Sequence, residues 1–257
     1  MTEAALHQFK ASAPDSLESV VVVHHLRKAF GNHVVLRDFS ISLKENENVV
    51  VLGKSGSGKS VLIKCIVGLI LPDAGKIYIL GRSVPDLEAE TLDILRRDLG
   101  FLFQWGALYD SMTVWENLIF PLRKHSDKTK QQITKKVEEV LESVGLPEAL
   151  DLMPSELSGG MKKRIALART LMLEPKIIFY DEPTTGLDPV TAKEISELIR
   201  EVQQRYQTAA IVITHDMNCV KIAADRIIVL SDGMNYAEGT YDTLKQSDDP
   251  VVTAFFR

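Results

Sequence analysis

The chain has 257 residues, 45% of them hydrophobic, and a net charge of −5, ample apolar material for one large domain or a domain carrying an insertion. The acidic balance argues against a nucleic-acid partner bound across a broad basic face. Cys65 and Cys219 lie inside apolar periodic stretches and read as reduced core residues of a cytosolic protein, and no metal-ligand spacing occurs.

Residues 1–18 read as a flexible lead with no apolar h-region, so neither a signal peptide nor an anchor is expected. Val20 to His25 is β-branched and predicts a strand, and Ile41-Ser-Leu-Lys44 alternates like another, with Gly31-Asn32 as a turn between Lys28-Ala-Phe30 and Val34-Val35. Phe30 fits either of two roles, stacking on an adenine ring, worth about 1–3 kcal/mol, or packing in a small sheet. Asn46 tolerates a left-handed turn that reverses the chain.

The stretch from Val49 to Val67 organises the rest. Val49 to Leu52 is an apolar run without periodicity, the signal of a buried strand, and helical spacing resumes after Ser60. Between them, Gly53-Lys-Ser-Gly-Ser-Gly-Lys-Ser60 fits G-x-x-x-x-G-K-[ST]. Glycines let successive N–H groups turn inward around a phosphate, and the helix that follows adds the positive end of its dipole. Lys59 then reaches the β- and γ-phosphates, and the Ser60 hydroxyl ligates Mg²⁺. The longest apolar stretch, Val61 to Leu71, is broken by Lys64 and is too short to span a bilayer.

Gly68 is a helix stop, Pro72 to Gly75 a turn, Lys76 to Leu80 a strand and Leu87 to Arg97 a helix. Leu99 to Gln104 reads as a strand ending in an amide able to reach a metal or its water. From about Trp105 to Glu156 the composition turns helical. Thr113-Val-Trp-Glu116 is a capping box, and Ile133, Val137, Val140, Leu141 and Val144 share one helix face ending at Gly145. Trp105 to Met112 is apolar and turn-rich, either a loop folded onto the insertion or a docking surface for a membrane partner.

Ser158-Gly159-Gly160 opens a further helix whose capped, glycine-made end is a second anion site. One nucleotide has no use for two such sites in a single subunit, but a two-fold dimer does. Lys176 to Tyr180 is a buried strand that delivers Asp181 and Glu182 to its carboxyl end, where ligands bind in parallel sheets. Asp181 is placed for the Mg²⁺ shell and Glu182 for polarising a water aimed at the γ-phosphate. Pro189 suits the first turn of a helix running through Tyr206. The strand from Ala209 brings His215 to the same edge, and Ile227 to Leu230 with Asn235-Tyr236 forms a hairpin around Ser-Asp-Gly233.

In order and spacing, Gly53 to Ser60, Gln104, Leu157 to Met161, Ile177 to Glu182, Asp188 and His215 resemble an ABC-transporter nucleotide-binding subunit over about Val20 to Gly239. The resemblance implies an α/β P-loop NTPase cassette: a RecA-like parallel-sheet core, an N-terminal antiparallel β subdomain and a helical insertion. The implied domain is 19–245, with core segments 19–104 and 165–245, a helical subdomain 105–164 and a tail 246–257. It implies ATP contacts from Phe30, from Gly53, Lys54, Ser55, Gly56, Ser57, Gly58, Lys59, Ser60 and Val61, and, across a dimer, from Ser158, Gly159, Gly160 and Asp188. Mg²⁺ falls to Ser60, Gln104 and Asp181, and catalysis to Glu182 as base with His215, Lys59 and Gln104.

A narrower likeness lies in Gly58 to Lys64, in Phe103 to Asn117 with Phe120-Pro-Leu-Arg123, and in a signature ending in Met161, which resembles the ATPases of Mce/Mla-type lipid transporters. It implies a homodimer on the cytoplasmic face of the inner membrane that powers phospholipid movement between inner and outer membranes. The implied partners are a permease docking near Trp105 to Met112, an Mce-type lipid-binding protein and accessory subunits, with no nucleic acid. Lys54 departs from the general pattern by placing a charge inside the P-loop. The alternatives are another importer, for an amino acid or a metal, a soluble non-transport ABC protein, and a catalytically silent nucleotide-binding module.

Overall fold

The computed structural model describes residues 19–104, 106–125 and 128–256. Its first half starts with β1 (Ser19–Phe30) and β2 (His33–Lys44), antiparallel around Gly31-Asn32, followed by β3 (Asn48–Leu52), α1 (Lys59–Ile66), β4 (Ala74–Ile79), β5 (Arg82–Ser83), α2 (Ala89–Arg97) and β6 (Leu99–Leu102). Helices α3 (Val114–Ile119), α4 (Leu122–His125), α5 (Lys130–Ser143) and α6 (Gly159–Leu171) come next. The chain closes with β7 (Ile177–Asp181), α7 (Pro189–Tyr206), β8 (Ala209–Thr214), α8 (Met217–Ala223), β9 (Arg226–Ser231), β10 (Met234–Gly239), α9 (Tyr241–Lys245) and α10 (Pro250–Phe256).

The strands form one sheet in the order β5-β4-β1-β2-β10-β9-β3-β8-β7-β6. The run β9-β3-β8-β7-β6 is parallel, so the ends at Leu52, Leu102, Asp181 and Thr214 lie along one edge. The antiparallel arm β5-β4-β1-β2 joins it through one registered pair, Met234 with Asp38. Helices cover both faces of the parallel strands, which is why these segments read as unbroken apolar runs. Alternate residues serve opposite cores: Val50, Leu52, Ile178 and Tyr180 pack against α6 and α7, and Val49, Val51, Ile177 and Phe179 against α1 and the arm. Cys65 and Cys219 are buried in these cores, and burial pushes their thiols up to about 11 and about 12.

Asn46 adopts the left-handed conformation, φ 56°, and the Thr113 capping box forms in full. The first strand runs on to Phe30 because its pairing with β2 continues to the turn. The helix expected from Leu87 starts at Ala89, after a short 3₁₀ turn at Val84–Asp86, and the expected turn at Ala74-Gly75 is already strand. The strand expected through Gln104 ends at Leu102, because Phe103 and Gln104 lie beyond the last residue registered with β7. The expected boundary at 164/165 falls inside α6, and the tail holds α10, whose Val252 is buried. Among the described residues no helix is long and apolar enough to cross a membrane.

Candidate functional site

Four parallel strands deliver the site. The loop leaving β3 wraps from Gly53 to Gly58 into α1, whose N-cap Gly58 sits at φ 100° with no side-chain cap. Only glycine fits there, since a Cβ would lie 2.8 Å from Val35 Cγ1 in a conformation other residues avoid. The first N–H groups of α1 therefore have no capping side chain in front of them, as an anion cradle requires.

Beside this loop lies a cleft of about 430 Å³, lined by Phe30, Val35, Ser55, Gly56, Gly58, Lys59, Ser60, Val61, Gln104, Glu182, Thr185 and His215. Lys59 is buried, and its Nζ donates to the carbonyls of Gly53 and Lys54 at 2.8 and 3.0 Å and stands 3.5 Å from Glu182. His215 Nδ1 meets Glu182 Oε2 at 2.8 Å. A carboxylate accepts such a bond from the Nδ1–H tautomer of an imidazole. Thr185 Oγ1 lies 3.4 Å from the same oxygen. Glu182 itself is held at φ 49° by its N–H bond to the Ile213 carbonyl, a left-handed conformation of the kind found where a site over-determines its backbone.

Ser60 Oγ donates to Asp181 Oδ1 at 3.4 Å. Burial first, and the neighbouring Glu182 second, push the Asp181 carboxyl above the usual range, against the opposing pull of Ser60 and Lys59. A hydroxyl and a desolvated carboxylate beside a phosphate cradle are the oxygen donors that suit Mg²⁺, which takes few protein ligands and keeps phosphate oxygens and waters. Among the described residues no group of three or more His, Cys, Asp or Glu is arranged to hold a metal ion by itself.

Phe30 is 49% exposed at the lip of the cleft, with Lys28 Nζ 5.4 Å from its ring centroid. It is therefore not packed into the sheet. Lys54 lies apart from the cleft: it lines a neighbouring one of about 610 Å³ with His33, Arg37 and Asp232, and contributes only its carbonyl to Lys59. Gly53 likewise presents its carbonyl to Lys59, and the Ser57 hydroxyl is tucked in without a partner. Ser158, Gly159, Gly160 and Asp188 do not line the cleft. They gather elsewhere: Ser158 Oγ caps α6 through the Met161 N–H, Asp188 caps α7, and a Cβ on Gly160 would meet Thr191 at 2.5 Å.

Sequence reasoning missed Lys163, whose ammonium donates to the Gln104 carbonyl. It also missed Asn117, fully buried, which bonds the N–H and carbonyl of Tyr109 and the carbonyls of Met112 and Thr113. Asn117 holds the stretch expected as a docking loop, and Lys163 holds Gln104 just before it; Trp105 of that stretch lies outside the described residues.

A family model described as "ABC transporter" matches residues 36–185. The chain is 38% identical over 235 residues to the probable ribonucleotide transport ATP-binding protein mkl of Mycobacterium leprae, covering 91% of this chain and 68% of that one. It is 36% identical over 240 residues to the intermembrane phospholipid transport system ATP-binding protein MlaF of Haemophilus influenzae, covering 93% and 91%. Among solved structures, the dimeric post-hydrolysis state of the ATP-binding cassette MJ0796 bound to ADP and Pi superposes with a TM-score of 0.76 at 33% identity, covering 86% of this chain and 98% of that one. The chain belongs to the ABC transporter family. Within it, this is an ATP-hydrolysing cassette subunit, with MlaF phospholipid-transport proteins among its relatives.

Proposed function

We propose that this ATPase powers a transporter moving phospholipids between inner and outer membranes, as a homodimer on the cytoplasmic face of the inner membrane. The observation that carries the catalytic part is the convergence of Lys59, Ser60, Asp181, Glu182, Gln104 and His215 from four strand ends beside the Gly53–Gly58 loop. The placement of Ser158, Gly159, Gly160 and Asp188 outside that cleft supports their service to a nucleotide on a second copy. Likeness to MlaF over nearly the full length of both chains supports the cargo.

In this reading the loop N–H groups and Lys59 bind the β- and γ-phosphates, Val61 supports the nucleotide at the start of α1, and Phe30 stacks on the base. Ser60, Asp181 and Gln104 would hold Mg²⁺, which would supply neutralisation of phosphate charge. Glu182 accepts a proton from the attacking water as its oxygen bonds to the γ-phosphorus and the bond to ADP breaks. His215 orients Glu182 and faces the γ-phosphate. ATP favours the closed dimer because it contacts the Ser158 end only there. The loop from Trp105 to Met112 docks on a permease, with an Mce-type lipid-binding protein and accessory subunits completing the complex.

The test is to purify the chain with its permease, measure ATP hydrolysis against assembly state, and analyse bound lipid by mass spectrometry. Phospholipid on the complex and loss of hydrolysis with Ser158→Arg are expected. Full-rate hydrolysis by a strict monomer overturns the paired mechanism. The 38% identity to mkl favours a second reading, the same chemistry serving another cargo, and a complex free of phospholipid selects it.

A further inference from the structure

We propose that Lys163 is a positioning residue that fastens the Gln104 backbone to α6, with Arg169 and Thr170 extending the hold, so that the loop after β6 and the helix beginning at Ser158 shift as one body. This rests on the ATPase reading of the site and not on its cargo.

Beyond Leu102 the chain leaves the sheet, so its carbonyls lose their ladder partners and need others. One face of α6 supplies them. Lys163, almost fully buried, donates to the Gln104 carbonyl. Arg169 donates to the carbonyls of Ala107 at 2.9 Å and Gly106 at 3.3 Å, with its guanidinium 5.9 Å from the Tyr109 ring centroid. Thr170 Oγ1, which shares its proton between the Ala166 carbonyl at 2.9 Å and the Phe101 carbonyl at 3.0 Å, ties the same face to the end of β6 just before the loop. Residues 163, 166, 169 and 170 follow helical spacing, and Ala166 fills the gap, 3.5 Å from where a Gly106 Cβ would stand.

The loop is shaped to meet this face. Gly106 and Ala107 are both left-handed, at φ 74° and φ 50°. For Ala107 that conformation persists only where its surroundings impose it, and the Arg169 bond to its carbonyl does so. The charges of Asp181 and Glu182 also favour the Lys163 ammonium against its burial, so one side chain of the Ser158 helix bonds the loop and senses the carboxylate pair. A push on the loop therefore reaches Ser158 through side chains that cannot slip without leaving the half-buried carbonyls of Gln104 and Gly106 without these partners.

The test uses the full chain and hydrogen exchange at Gly106 and Tyr109, whose N–H groups bond the Phe103 carbonyl and Asn117 Oδ1. In Lys163→Met these amides are expected to exchange about tenfold faster and kcat to fall about tenfold, the factor expected from losing one charge-assisted hydrogen bond. ATP affinity is expected to stay within about twofold of the wild type, and Lys163→Arg to restore exchange and kcat together. Unchanged exchange in Lys163→Met, or no rescue by Lys163→Arg, overturns the proposal. Should Lys163→Met fail to fold, the half-exposed Arg169→Met is read by the same exchange criterion. A wild-type chain that binds ATP without splitting it counts against the proposed function, while the exchange comparison still decides this point.

Discussion

In the proposed mechanism Glu182 concentrates the chemistry in one side chain, which is largely buried, at φ 49°, and touched by Lys59, His215 and Thr185. Glu182→Gln keeps the shape and can still accept from His215 and Thr185 through its amide oxygen, but it loses the charge facing Lys59 and cannot take a proton, so kcat is expected to fall by about 10²–10⁴ with ATP binding retained, measured by single-turnover hydrolysis and equilibrium binding. Asp181 gives a second prediction. Its raised pKa means that the fold favours the protonated form. That contribution is complete below the ordinary carboxylate pKa and is lost as pH rises through the raised value. Asp181→Asn should therefore melt higher than wild type at neutral pH, with the gap closing in acid, in thermal scans across that range. These residues were legible in the sequence because each sits at a strand end marked by an apolar run, and strand ends in a parallel sheet share an edge. That Lys54 borders the neighbouring cleft was not, because a motif position does not name what packs beside the loop.

At the scale of elements, the segment between β6 and α3 is held by side chains outside it, from Asn117 in the helix that follows to Lys163 and Arg169 on α6. Asn117 spans Tyr109 to Thr113 with every polar contact buried or half-buried. Asn117→Ala strands several of these groups at once and is expected to cost about 3 kcal/mol, a melting temperature lower by roughly 6–12 °C by calorimetry. Helix starts were legible where the cap and its receiver lie three residues apart, as at Thr113 and Ser158. The Lys163 bond to Gln104 joins residues 59 apart, and only the packing of α6 against β6 makes them neighbours. Helix α10 escaped notice because its anchors, Val252 and the Tyr236–Asp249 bond, depend on a hairpin folded earlier.

For the whole molecule, the separation of the Ser158 end from the Lys59 cleft predicts that nucleotide binding and pairing of chains are linked. ATP at a hundred times its Kd should stabilise the fold by about 2.7 kcal/mol, and more at high protein concentration, because the dimer adds a second binding term. Size-exclusion of Glu182→Gln with ATP should show a dimer that Ser158→Arg abolishes. The single registered pair joining β2 to β10 was not legible, since neither strand's pattern names a parallel neighbour.

The two thiols have a practical corollary. With Cys65 and Cys219 sunk in the cores and pushed away from the thiolate form, neither is expected to react appreciably with maleimide at neutral pH. The native chain should then serve as a cysteine-free background. A fluorophore or spin label placed on one engineered surface cysteine, at exposed Asp110 for example, will report from that position alone, without stripping the protein of its own sulfur.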